Sequence, residues 1–131
     1  MEFCGVRLSA PLSLNSSSFS NGDPLGSLFS YAIRLRPGEA RRLLKALSPK
    51  LAKGCTKRLD SGLEDVPPIT YSYRSRKVPI LGDQSLGFQT VGRNPISVKA
   101  VLFRKGDILV AVSSAPEVDV DRIAAKVAAR L

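Results

Sequence analysis

Residues 97–113 read SVKAVLFRKGDILVAVS. Ser97 to Lys105 and Ile108 to Ser113 are two β-rich runs. The Gly106-Asp107 pair between them suits the positive φ angles of a two-residue hairpin turn. The second run, Ile108-Leu109-Val110-Ala111-Val112, is apolar without alternation, the pattern of a strand covered on both faces. These residues predict a hairpin at the centre of a sheet.

Downstream, the chain closes with DVDRIAAKVAARL. Asp119 or Asp121 can cap a helix there, with Val120, Ala124, Val127 and Leu131 on or beside one apolar face and Ile123 flanking it. Arg122, Lys126 and Arg130 recur four apart and form a separate basic stripe. Upstream, Ser85 to Val91 alternates as a strand carrying Leu86, Phe88 and Thr90. Leu81-Gly82-Asp83 before it reads as a turn. Ile69 to Val78 predicts another strand, with Ile69, Tyr71 and Tyr73 on one face, bounded by Pro67-Pro68 and Pro79.

A helix is expected after Pro37, with Glu39 complementing its N-terminal dipole and Ala40, Leu43, Leu44 and Leu47 at helical spacing. Ser48-Pro49 predicts a break or kink, with a second short turn carrying Leu51, Ala52 and Cys55. Tyr31 to Leu35 alternates as a short strand. Residues 9–30, SAPLSLNSSSFSNGDPLGSLFS, are rich in Ser, Asn, Gly and Pro and predict a loop, with Phe19, Leu25, Leu28 and Phe29 as anchors. Within it Asn15-Ser16-Ser17 fits the glycosylation sequon, which carries meaning only in a secreted eukaryotic protein. The expected fold is α+β: an antiparallel sheet of four or five strands, an N-terminal basic helix, and a C-terminal helix packed on the sheet. At 131 residues the chain suits a single domain, residues 1–131, with residues 1–30 as a loop-rich arm.

Charge and missing residue types narrow the function. Twenty Lys plus Arg against eleven Asp plus Glu give a net charge of +9, a field that attracts polyanions without selecting one. The chain has no His and no Trp, which removes Ser-His-Asp and Cys-His chemistry and imidazole metal ligation. Asp83 and Asp107 are isolated turn carboxylates rather than a catalytic pair. Lys or carboxylate chemistry remains open in principle, but no motif gathers those groups, and the expectation is a non-enzymatic protein without cofactor or metal. MEFCGVRL at the N-terminus has neither a charged n-region nor an apolar h-region, and no apolar run approaches the length of a membrane span. No signal peptide or transmembrane segment is therefore expected in these residues. A cytoplasmic protein reads this way, and so does an exported one whose leader has been removed.

Cys4 and Cys55 are too far apart for a CxxC motif. They are either a disulfide in an exported protein or two reduced thiols in a cytoplasmic one, and their even count in a small basic domain favours the disulfide. The densest run of positive charge is Arg34, Arg36, Arg41, Arg42, Lys45, Lys50, Lys53, Lys57 and Arg58, accompanied within its span only by Glu39. It reads as a polyanion-binding surface along a helix, or as a solvated face that keeps a small domain dispersed. Arg41/Lys45 and Lys53/Lys57 form like-charge pairs at helical spacing, a cost that an anionic partner would relieve. Tyr71, Tyr73, Arg74, Arg76 and Lys77 interleave aromatic and basic residues as nucleic-acid platforms do. On a strand, however, the tyrosines and Arg74 and Arg76 fall on opposite faces, so core tyrosines backed by an exposed basic face is the simpler reading.

Leu81-Gly82-Asp83-Gln84-Ser85, followed by a strand, then Val101 to Val112 and an Ala-rich terminal helix, resembles actinobacterial exported lipoproteins and extracytoplasmic sensor domains. The resemblance spans residues 78–131. It implies an envelope-facing domain that binds or senses a ligand, with an antiparallel sheet packed on helices and no shared catalytic residues. The N-terminal half carries no such likeness, and Met-Glu-Phe before Cys4 is not a lipidation signal. The leading functional expectation is thus a non-enzymatic extracytoplasmic binding or sensor domain with an anionic or protein partner. The alternative is an intracellular nucleic-acid-binding or adaptor module with reduced cysteines.

Overall fold

A computed structural model describes residues 2–7, 10–19, 28–60, 62–91, 97–116 and 118–131. The elements run β1 (Glu2–Phe3), β2 (Val6–Arg7), β3 (Ser13–Phe19), β4 (Leu28–Arg34), α1 (Glu39–Lys53), β5 (Cys55–Leu59), β6 (Ile69–Arg76), β7 (Gln84–Thr90), β8 (Lys99–Lys105), β9 (Ile108–Ser114) and α2 (Val120–Ala129). The fold is α+β. Seven strands form one antiparallel sheet in the order β3-β4-β9-β8-β7-β6-β5, and β1 and β2 form a separate hairpin.

The β8–β9 hairpin turns at Gly106-Asp107 and sits mid-sheet. Alternation sends its side chains to two cores. Leu102 and Leu109 join Leu43, Leu44, Leu47 and Leu51 of α1 on one face, whereas Val101, Phe103, Val110 and Val112 join Val120 and Ala124 of α2 on the other. The helices therefore cover opposite faces of one sheet, and the uninterrupted apolar run of β9 is the consequence.

The expected four or five strands are seven, and the difference arises mainly in the N-terminal arm. Ser13–Phe19, expected as loop, pairs along its length with Leu28–Arg34, which in turn pairs with β9. Ser and Asn have weak strand preference, so it is the backbone ladder offered by β4 that makes this segment extended. Leu28 packs against the α2 core while Phe29 stays 41% exposed. Of the other expected anchors, Leu25 and the Phe19 side chain lie outside the described residues. The last added strand is Cys55–Leu59, expected as part of a helical turn.

The expected break at Ser48-Pro49 is absent: α1 continues through Pro49 to Lys53. A proline inside a helix costs about 3 kcal/mol. Beyond it Leu51 is fully buried, and before it Leu47 nearly so. Burying two leucines is worth roughly 3–6 kcal/mol, enough to offset the lost hydrogen bond on a side where Pro49 faces solvent. The helix begins two residues later than Pro37 would suggest, with Gly38 at its N-cap in the left-handed region. Asp107 secures that entry: its carboxylate accepts from Gly38 N–H at 3.2 Å and its carbonyl from Leu35 N–H at 2.9 Å. Asp83 anchors the same hairpin turn from the other side, accepting from Gly106 N–H at 2.7 Å. Both turn carboxylates are structural ties.

At the C-terminus Asp119 caps α2, accepting from Arg122 N–H at 3.2 Å. Val120 and Ala124 are buried and Val127 half-buried, but Leu131, expected in the core, is 39% exposed. Leu131 lies past the last turn of α2, where Lys105 Nζ donates to its backbone oxygen. Arg122, Lys126 and Arg130 face solvent as their stripe requires.

Cys4 and Cys55 are bonded, with α-carbons 5.5 Å apart. Cys4 occupies the tip of the β1–β2 hairpin at φ 51°, followed by Gly5 at φ 77°. The bond ties this hairpin to the start of β5. Closing a loop of 51 residues removes unfolded-chain entropy worth roughly 4 kcal/mol. Reduction, or the Cys4→Ser/Cys55→Ser pair, is expected to lower the unfolding free energy by about that amount. Thiol titration of the unreduced, denatured chain should find no reactive cysteine; two titrating thiols would contradict the bond.

Gly82 and Gly106 allow a second test. Both have positive φ, but a Cβ at Gly106 meets nothing within 4 Å, whereas one at Gly82 would lie 2.4 Å from the Arg104 carbonyl oxygen. Gly106→Ala should cost about 1 kcal/mol of backbone strain alone. Gly82→Ala should cost roughly 3 kcal/mol or more, because backbone must also move. Urea unfolding of the two variants measures the difference, and equal losses would contradict the close approach.

Candidate functional site

The inward stripe of α1, Ala40, Leu43, Leu44, Leu47 and Leu51, assigns every other position of the helix by its period. Arg41, Arg42, Lys45, Lys50 and Lys53 are all exposed. Arg41 and Lys45 lie one turn apart on one flank, Arg42 and Lys53 on the other, and Lys50 leans toward the β1–β2 hairpin. A Cβ at Gly5 would sit 3.6 Å from Lys50 Nζ. The outer surface of α1 is thus cationic around its whole exposed arc, with Glu39 at its first turn.

The remaining cations of the run separate. Lys57 pairs in register with Tyr71, on the face that carries α1, and extends the positive surface beyond Lys53. Arg58 points to the opposite face and pairs with Asp60 at 3.4 Å, both well exposed, so the pair adds little stability. Arg34 ends β4 opposite Ile108, on the side of α2. Arg36 lies in the turn before α1, where its N–H donates to Glu39 Oε2 at 3.3 Å. The structure therefore gathers Arg41, Arg42, Lys45, Lys50, Lys53 and Lys57 on one side of the molecule and places Arg34 and Arg58 on the other. Lys53 and Lys57 are not a helical pair, because β5 begins between them.

Beside this cationic side lies an aromatic group. Phe3 from the β1–β2 hairpin meets Tyr73 at 5.3 Å and Phe88 at 5.1 Å between ring centroids. Tyr73 and Phe88 pack edge-on at 5.8 Å, and Tyr71 stacks on Tyr73 at 6.3 Å. Burial, with a smaller contribution from neighbouring Tyr71, pushes the Tyr73 phenol above its ordinary value. Tyr73 packs against the α1 core, whereas Tyr71 is half-buried and stacks on Tyr73, and Ile69, expected on the same face, is exposed.

The basic face behind them is not uniformly exposed. Arg74 and Lys77 reach solvent, but Arg76 is largely buried and forks onto Asp121 of α2, with Nη2 to Oδ1 at 2.5 Å and Nη1 to Oδ2 at 3.1 Å. This pair clamps α2 to β6, and sequence reasoning missed it. The signal was present: Asp121 stands in the first turn of an amphipathic helix, and Arg76 lies on the strand face opposite the tyrosines. The hydrogen bonds from Arg76, aided by its charge and that of Lys99 and opposed by desolvation, hold the Asp121 carboxyl below the usual range.

Among the described residues no group of three His, Cys, Asp or Glu is placed to hold a metal ion, and no helix is long and apolar enough to cross a membrane. No family model, curated protein or solved structure matches the chain.

The Arg76–Asp121 clamp carries a pH signature. A carboxyl with a lowered folded-state pKa contributes stability that is complete above its unfolded value, near ~4, and is lost as pH falls through the folded value. Asp121→Asn removes the anionic partner of a largely buried guanidinium and should cost about 2 kcal/mol at neutral pH. Thermal unfolding from neutral to strongly acidic pH should show parent and variant converging at the acid end. A constant gap across that range would show that the carboxylate charge is not what holds α2.

Proposed function

We propose that this chain is a non-enzymatic extracytoplasmic binding or sensing domain that engages an anionic partner through the outer face of α1. The observation that carries this reading is the gathering of Arg41, Arg42, Lys45, Lys50, Lys53 and Lys57 on one exposed side. Like charges so placed repel one another, and an anionic polymer or surface relieves that repulsion while releasing its own counterions. The Cys4–Cys55 bond supports an oxidising compartment. The likeness of residues 78–131 to exported actinobacterial lipoproteins and sensor domains points the same way.

Binding to duplex DNA and to anionic vesicles should weaken steeply with salt, with a log–log slope near −0.9 per neutralised phosphate for the duplex. Reversing Arg41, Arg42 and Lys45 to Glu should abolish binding to both, with the melting temperature nearly unchanged, because exposed charges contribute little to folding. Binding that ignores salt or survives the reversal would remove α1 as the site. Marked preference for one DNA sequence would instead support an intracellular nucleic-acid-binding module.

A further inference from the structure

The sheet ends in two strands of opposite character. Edge strands present a row of backbone donors and acceptors, and proteins guard them with charge, proline or brevity. At one end β5 has five residues, including Lys57 and Arg58, and is anchored by the Cys55 disulfide. At the other, β3 has seven residues, SLNSSSF, with no charge and no proline. Among the described residues none pairs with its outer side. On the adjoining strand β4 the one charge is Arg34, which pairs with Ser13 at the end of the ladder and lies on the α2 side. Leu12 and Leu14 are 58% and 57% exposed, and on the face that Leu14 shares with Ile33, Tyr31 and Phe29 of β4 are also exposed.

We propose that β3 is the contact edge of a two-fold homodimer, in which two copies pair antiparallel and join their sheets into one. The occupant follows from charge. A chain of net charge +9 can approach itself only where cations do not meet cations. That condition excludes the α1 face and the β5 edge and is met along β3. A two-fold contact must be complementary to itself. With the axis beside Ser16, Leu14 of one copy lies opposite Ser18 of the other and Asn15 opposite Ser17, and no charge opposes a like charge. A strongly charged peptide would find no counter-charge at this edge.

The symmetry has a consequence for display. A two-fold axis perpendicular to the sheet keeps equivalent faces on the same side, so the dimer presents both α1 helices in one direction. Two cationic helices on one rigid sheet would bind an extended polyanion with an avidity that a single copy lacks. The dimer itself does not depend on the polyanion reading and is tested without any ligand.

Sedimentation equilibrium over a concentration series, with the disulfide intact and no polyanion present, should show the parent as a dimer that dissociates on dilution. Ser16→Lys and Ser16→Glu each place like charges across the axis and should weaken association about tenfold or more. An equimolar mixture of the two variants should restore the dimer as a heterodimer, which also shows that both variants fold. A parent that stays monomeric throughout would overturn the proposal. So would a dimer that persists in Ser16→Lys, or a mixture that fails to reassociate.

Discussion

Val101, Phe103, Val110 and Val112 point to one side of the β8–β9 hairpin and Leu102 and Leu109 to the other, and all are buried. A hairpin apolar on both faces cannot stand at the surface of a two-layer fold; it demands a cover on each side. The two helices supply those covers, and the remaining strands extend outward from this pair. Asp107 and Asp83 then use the hairpin's own turn as an anchor for the entry to α1 and for the segment before β7. Loss of packing at this hairpin would therefore release both helices together.

Charge is divided to fit those layers. Once Ala40, Leu43, Leu44, Leu47 and Leu51 are committed to the sheet, the cations of α1 have only the outer arc to occupy. The face of α2 is handled differently. Arg76 projects toward that helix from β6 and is largely removed from water, so it requires the Asp121 carboxylate. One set of cations is thus left exposed on the outer arc of α1 and another is neutralised for structure, although both belong to basic stretches of similar appearance.

The β1–β2 hairpin is too short to hold itself by backbone pairing. Two residues in each strand give little ladder energy, and Cys4 at φ 51° adds strain at its tip. The disulfide to Cys55 and the seat of Phe3 between Tyr73 and Phe88 fix it over the end of the sheet beside Lys50. Covalent attachment here replaces the packing that a longer element would provide.

How much of this was legible in the chain depends on the range of the interactions involved. The central hairpin, the apolar stripe of α1, an aspartate cap on α2 (Asp119 of the two candidates) and the strand character of β6 and β7 were read correctly because local periodicity and turn chemistry determine them. The cationic character of α1 was equally evident, since its charges need only a helix to be aligned. The strand at Ser13–Phe19 and the passage of α1 through Pro49 were not legible, and for the Arg76–Asp121 clamp the sequence showed the faces of the two residues but not their pairing. Each runs against or beyond local preference and exists because a distant partner makes it favourable: β4 for the serine-rich strand, the sheet beneath Leu51 for the proline, α2 for the buried guanidinium. By itself the sequence determined which residues seek water and which avoid it. Only the tertiary structure decided which polar groups and weak strand formers would be held by neighbours remote in the chain, because that energy belongs to the contact and to neither segment alone.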